Sequence, residues 1–196
     1  MPSIRSYRLI LPLLTLCFTF LAGLAKASLP VVTGENTAPS LLLQPGTVAP
    51  ICNLDGLDGN AYEFPASGSW NMIFYWSLFC HSCLEEIPEV QRRLEQENNP
   101  DLKAFFVSLD TERMHKALVN FCQRRELKQL VLMEKIASDS WLTADQWGVV
   151  STPAVFIVAP DGKVAYSHQG PLDLDRFFAG FAAMTASATE VLPPEK

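Results

Sequence analysis

The sequence predicts an α/β fold: a central mixed β-sheet flanked by helices, with an N-terminal β-hairpin extension. Three observations predict it. Apolar runs of strand length alternate with helical stretches in the order strand, helix, strand, helix, then a hairpin and a last helix. Cys80-His81-Ser82-Cys83 stands where a buried strand gives way to a helix. Ser151-Thr152-Pro153 stands directly before another apolar strand. The 196 residues suffice for one domain with a core of its own plus tails, and no internal repeat divides them.

The chain opens with Arg5 and Arg8, an uncharged run from Leu9 to Leu24, and then the small residues of Ala25-Lys26-Ala27. This is the order of a secretory signal, expected over residues 1–27 with cleavage after Ala27. The run is also close to the length that spans a bilayer, so an uncleaved anchor is the alternative. Either way the domain is expected outside the cytoplasm, periplasmic or otherwise exported. Without residues 1–27 the chain keeps 12 basic and 21 acidic residues, a net charge of −9. Such a surface argues against nucleic acid as a partner. Residues 28–46 are rich in Pro, Ser, Thr and Gly and are expected to form a linker or loose arm. The domain is expected over 47–184 and a disordered tail over 185–196.

Within the domain, Asp55-Gly56 and Asp58-Gly59-Asn60 supply turn chemistry before the alternating Tyr62 and Phe64, which predicts a hairpin. Asn71 to Trp76 form a continuous apolar run suited to a central strand. Cys80 opens a helix whose inner face carries Leu84, Ile87, Val90 and Leu94, with Glu85, Glu86 and Glu89 in its first turns. Asn98-Asn99-Pro100 stops it. Strands follow at Lys103–Leu109 and Leu130–Met133, with a helix carrying Met114, Leu118, Phe121 and Cys122 between them. A short helix is expected from Trp141 to Trp147, ended by Gly148. Ala154–Val158 and Val164–Ser167 pair about Pro160-Asp161-Gly162, and Leu172–Met184 form a last helix with Asp173 as its cap.

The chemistry is concentrated at Cys80 and Cys83. Two intervening residues at a helix start let the sulfurs close a bond while the first stays exposed. The free N–H groups and partial positive charge of the helix start favour thiolate at Cys80. Reactive thiols in such pairs have pKa values of roughly 3.5 to 7.5. Cys80 is expected to attack a partner disulfide and Cys83 to resolve the mixed disulfide. His81 in its cationic form would stabilise the thiolate further and push the pair toward an oxidant. A CxxC is also half a zinc site, but no second ligand pair accompanies this one. Cys52 and Cys122 either pair in an oxidising compartment or remain buried thiols.

Around this centre the chain resembles the thioredoxin superfamily, from about residue 47 to 182. Pro153, preceded by Thr152, matches the proline that in that family is cis and lies against the redox pair; Gly148-Val149, Pro160-Asp161-Gly162-Lys163 and Gly170 also match. Cys83-Leu84-Glu85-Glu86-Ile87-Pro88 resembles the extended motif of the TlpA/ResA/DsbE-like branch. The resemblance implies a thioredoxin fold and an exported protein-disulfide oxidoreductase with no cofactor beyond its own disulfide. Glu86 would move protons to and from the cysteines. Trp76, Phe79, His81, Thr152 and Pro153 would meet the substrate. Partners would be protein thiols and disulfides and a membrane electron donor of DsbD/CcdA type, the protein itself being a monomer. A reductase, as in cytochrome c maturation, is the leading expectation; an oxidant or isomerase, or a copper- or zinc-binding module, is the alternative. A peroxiredoxin shares the strand–Cys–helix junction, yet Ile73 stands four residues before Ser77 where its proline belongs. Other departures are Phe79 in place of the usual Trp, Phe74 where thioredoxin has a buried aspartate, and His81-Ser82 between the cysteines.

Overall fold

Trp70–Trp76 is buried at all seven positions, so this strand has to lie in the middle of the molecule. The computed structural model, which describes residues 41–189 with side chains to residue 186, places it there. The strands are β1 (Cys52–Gly56), β2 (Ala61–Phe64), β3 (Trp70–Trp76), β4 (Leu102–Ser108), β5 (Leu130–Met133), β6 (Ile136–Ala137), β7 (Ser140–Trp141), β8 (Ala154–Val158) and β9 (Val164–Gln169). The helices are α1 (His81–Glu97), α2 (His115–Arg124), entered through a 3-10 turn at Glu112–Met114, and α3 (Leu174–Thr189). Seven strands form one sheet in the order β2-β1-β5-β4-β3-β8-β9, and β6 and β7 form a separate small hairpin. β3 runs parallel to β4, with Trp76 opposite Ser108, and antiparallel to β8. β4 runs parallel to β5, so β3, β4 and β5 end at one edge.

Side chains alternate along β3, and the core divides accordingly. Met72, Phe74 and Trp76 join Cys83, Ile87 and Val90 of α1, Leu118 and Phe121 of α2, and Phe177, Phe178 and Phe181 of α3. Ile73 and Tyr75 join Cys52, Phe64, Phe105, Phe156 and Trp147 on the other face. All three helices therefore serve one face, and irregular chain around Leu42, Ala144 and Trp147 covers the other.

α1 begins at Cys80, whose backbone is extended (φ −92°, ψ 102°) and whose Sγ accepts the Cys83 N–H at 3.2 Å. It ends at Asn98, left-handed at φ 41°, whose N–H returns to Leu94 O at 3.3 Å. Pro88 lies inside the helix, where it removes one backbone donor. Asp173 Oδ1 accepts the Arg176 N–H at 3.1 Å at the start of α3.

The structure corrects the sequence reading in several places. Helix α1 starts at His81, so no acid falls in its first turn. Glu85 instead pairs with His81, Glu89 holds Arg92 and Arg93, and Glu86 turns inward. Trp141–Trp147 is not a helix: the Asp145 carboxylate takes the Trp141 N–H and Gln146 donates to Leu142 O, so side chains compete for the backbone. Residues 41–46, expected in the linker, are tied to the domain by Leu43 N–H to Trp147 O and Gly46 N–H to Val164 O. α3 continues past Met184 to Thr189. Cys52 and Cys122 are free thiols; they belong to the cores on opposite faces of the sheet, which separates them. The expected signal, linker residues 28–40 and tail residues 190–196 lie outside the described residues. Among the described residues, no helix is long and apolar enough to cross a membrane.

Candidate active site

Strand β3 ends at Trp76, and the next three residues turn the chain into α1. The turn puts Cys80 at the N-cap, half-buried, and Cys83 one turn on with no exposed surface. The two are joined in a disulfide with Cα atoms 5.2 Å apart. Cys80 Sγ receives the Cys83 N–H and lies 3.5 Å from Ser82 Oγ. Donors thus converge on the outer sulfur, and the helix start adds its partial positive charge. Only one of the two sulfurs offers a way in.

The residues expected around the pair divide by exposure. Phe79 is 79% exposed, and Val150, beside the Thr152–Pro153 segment, is 68% exposed. Thr152 is half-buried, Pro153 is buried, and the peptide between them is cis. His81 is exposed, and its Nε2 lies 3.2 Å from Glu85 Oε1, so this carboxylate offsets any positive charge on the ring. Trp76 has no exposed surface; its ring centroid lies 5.4 Å from that of Phe121, and its Nε1 has no partner among the described residues. It supports the site from within the core rather than offering a face to a partner, because the apolar cluster beneath the sheet encloses it.

Glu86 is one turn beyond Cys83 on the same buried face of α1. Its Oε1 accepts the Leu172 N–H at 3.0 Å, while its Oε2 is buried without a partner. Burial pushes this carboxyl up, against the opposing pull of the Leu172 amide and of His168. The other two thiols are held toward their protonated form. Burial raises Cys52, whose Sγ receives Trp147 Nε1 at 3.3 Å, and pushes Cys122 up to about 11. Among the described residues, no group of three or more His, Cys, Asp or Glu is placed to hold a metal ion.

One residue of the site escaped the sequence reading. Asp110, just past β4, is 2% exposed and binds the Ser77–Leu78 turn ahead of Cys80. Its signal was position: an acid at the carboxyl end of a parallel strand, on the edge where such sheets place their sites.

With this geometry in place, likeness to known proteins is informative. The model of the AhpC/TSA family matches residues 38–167. The sporulation thiol-disulfide oxidoreductase A of Bacillus subtilis (strain 168) is 16% identical over 121 residues, 61% of this chain and 71% of that protein. A putative thiol:disulfide interchange protein DsbE from Chlorobium tepidum superimposes with a TM-score of 0.58 at 21% identity, over 74% of this chain and 98% of that one. A peroxiredoxin-like protein from Aquifex aeolicus superimposes with a TM-score of 0.58 at 18% identity, over 71% and 86%. These likenesses bear out the thioredoxin fold and the resemblance to the TlpA/ResA/DsbE-like branch.

Proposed function

The chain belongs to the AhpC/TSA family, and on that footing we propose that it is a thiol-disulfide oxidoreductase that exchanges its Cys80–Cys83 pair with partner proteins, working as a reductase outside the cytoplasm. The observation that carries this reading is the asymmetry of the disulfide: an accessible sulfur at a helix N-cap, bonded to a second sulfur with no exposure. In the reduced protein the Cys80 thiolate attacks one sulfur of a partner disulfide. A Cys80–partner disulfide forms, and the other partner sulfur leaves as a thiolate. Cys83 then gives up its proton and attacks Cys80, releasing the second partner thiolate. Two electrons pass from the protein to the partner; the proton of Cys83 leaves with them, and solvent supplies the second proton of the partner dithiol.

Glu86 is the proton acceptor for Cys83 in this scheme. It shares the helix face one turn away, it has a free oxygen, and burial raises its pKa, which makes it a stronger base. Phe79, His81 and Thr152 form the surface that receives the partner, Pro153 backs it, and Val150 extends it with further apolar area. The working form is a monomer that a membrane electron donor of DsbD/CcdA type recharges.

The test uses glutathione disulfide as the probe. A Cys83→Ala variant accumulates a glutathione adduct on Cys80, the wild type passes on to its own disulfide, and Cys80→Ala forms no adduct. Absence of the adduct on Cys83→Ala sinks the reading. Equilibration with glutathione fixes the direction: a potential near about −270 mV supports a reductant, and one near about −120 mV makes the protein an oxidant or isomerase.

The family match and the Aquifex aeolicus structure favour one second reading, reduction of peroxides. The Cys80 thiolate would take one oxygen of hydrogen peroxide, the other leaving as water, and become a sulfenic acid; Cys83 would condense with it, releasing a second water. Catalytic consumption of hydrogen peroxide by the reduced protein is the result that selects it.

A further inference from the structure

The exchange steps use sulfur atoms and a base, and they leave Asp110 unexplained. A buried carboxylate is costly unless donors satisfy it, and this one is satisfied by the loop that leads to the redox pair. Oδ1 accepts Ser77 Oγ at 2.9 Å. Oδ2 accepts the Leu78 N–H at 2.9 Å and Ser108 Oγ at 2.7 Å. The series continues outward: the Phe79 N–H donates to Ser77 Oγ at 3.1 Å, and the Cys80 N–H donates to Ser77 O at 3.1 Å. It is anchored inward as well, since the Asp110 N–H donates to Ser108 Oγ at 3.2 Å and the Leu109 N–H to Trp76 O at 2.8 Å. An unbroken chain of hydrogen bonds therefore runs from the end of β4 to the N-cap of α1.

We propose that Asp110 is a positioning residue for disulfide exchange, acting through Ser77 and the Leu78 amide to hold Cys80 where it closes on Cys83 and meets an incoming sulfur. The inference rests on the oxidoreductase reading above. Three donors converge on two oxygens, and a carboxylate accepts all three; an asparagine would turn its NH2 group toward Ser77 Oγ or toward the Leu78 amide and Ser108 Oγ. Exchange needs the attacking sulfur aligned with the bond it breaks, so a small displacement of Cys80 costs rate. A loosely held Cys80 also closes less readily on Cys83, and the dithiol becomes the favoured form.

The experiment follows the reduced protein with glutathione disulfide and measures both the exchange rate and the equilibrium constant. The proteins compared are the wild type, Asp110→Asn, Asp110→Ala, Ser77→Ala and the Ser77→Ala/Asp110→Ala double variant. Both Asp110 variants are expected to react about tenfold more slowly and to shift the equilibrium about tenfold toward the dithiol. Ser77→Ala should move both quantities in the same direction by about threefold, the worth of one hydrogen bond. The double variant should be no worse than Asp110→Ala alone, because the two residues act in series. Folded Asp110 variants with wild-type rate and equilibrium overturn the proposal. Where the Asp110 variants do not fold, Ser77→Ala decides alone, and unchanged values for it overturn the proposal equally. A wild type that does not react with glutathione disulfide overturns the oxidoreductase reading itself, which keeps the two failures apart.

Discussion

Glu86 shows how one buried side chain ties stability to pH. One carboxyl oxygen is held by the Leu172 amide and the other has no partner, in a residue only 9% exposed. Burial raises its pKa, outweighing the Leu172 hydrogen bond and the nearby His168. The folded state therefore binds this proton more tightly than the unfolded state does. The resulting stability is fully present below the ordinary glutamate value of about 4.3 and is lost as pH rises through the raised value. Glu86→Gln removes that loss. The melting temperature of the variant, relative to wild type, is expected to climb as pH rises from the ordinary glutamate value through the raised one. Thermal melts across that range test it, and a difference that stays flat with pH removes Glu86 as a group of raised pKa. The same variant should resolve its mixed disulfide more slowly, since the proton of Cys83 loses its acceptor.

Among the elements, those built from local pattern were legible and those built from distant side chains were not. The buried run of β3, the apolar face of α1 and the Pro160-Asp161-Gly162 turn between β8 and β9 each carry their signal within about ten residues. The Cys80–Cys83 pair was legible for the same reason, since spacing and helix start are both local. The segment from Trp141 to Gly148 is different. Its Thr143 and Ala144 N–H groups are taken by the carboxylate of Glu134, at the end of β5, and Tyr75 on β3 reaches Thr143 Oγ1 at 3.1 Å. No window of sequence around Trp141 contains Tyr75, and Asp110 was hidden from the Ser77 turn in the same way. Gly148 ends this segment with φ +69°, and a Cβ there would sit 1.7 Å from Leu41 O and 2.3 Å from Leu41 C. Both obstacles are backbone and cannot swing aside. Gly148→Ala is therefore expected to cost about 3 kcal/mol or more, beyond the roughly 1 kcal/mol of the positive φ alone. Denaturant titration measures it, and a loss below about 1 kcal/mol would falsify the close approach of Leu41 to this turn.

For the whole molecule, the question is how the protein survives the opening and closing of its own disulfide. The bond spans a sequence separation of 3, at the edge of a seven-stranded sheet whose two faces are each covered by a separate apolar cluster. Neither cluster depends on the bond for its connectivity. Met72, Phe74 and Phe106 pack beneath α1 through Ile87 and Val90 as well as through Cys83. In the chain-entropy account so short a loop is worth about 2 kcal/mol, against a total of about 5–15 kcal/mol for a domain. Reduction is therefore expected to lower the melting temperature by only about 4–8 °C and to leave the near-ultraviolet circular dichroism in place. That tolerance is what turnover requires: Cys80 and Cys83 must each return to the same position after every exchange, with the Asp110 strap and the core unchanged. Melts and spectra of the oxidised and fully reduced protein measure it directly. A reduced form that loses its tertiary signal would mean that the disulfide holds the fold, and a bond the fold cannot spare is unfit to be handed to a partner.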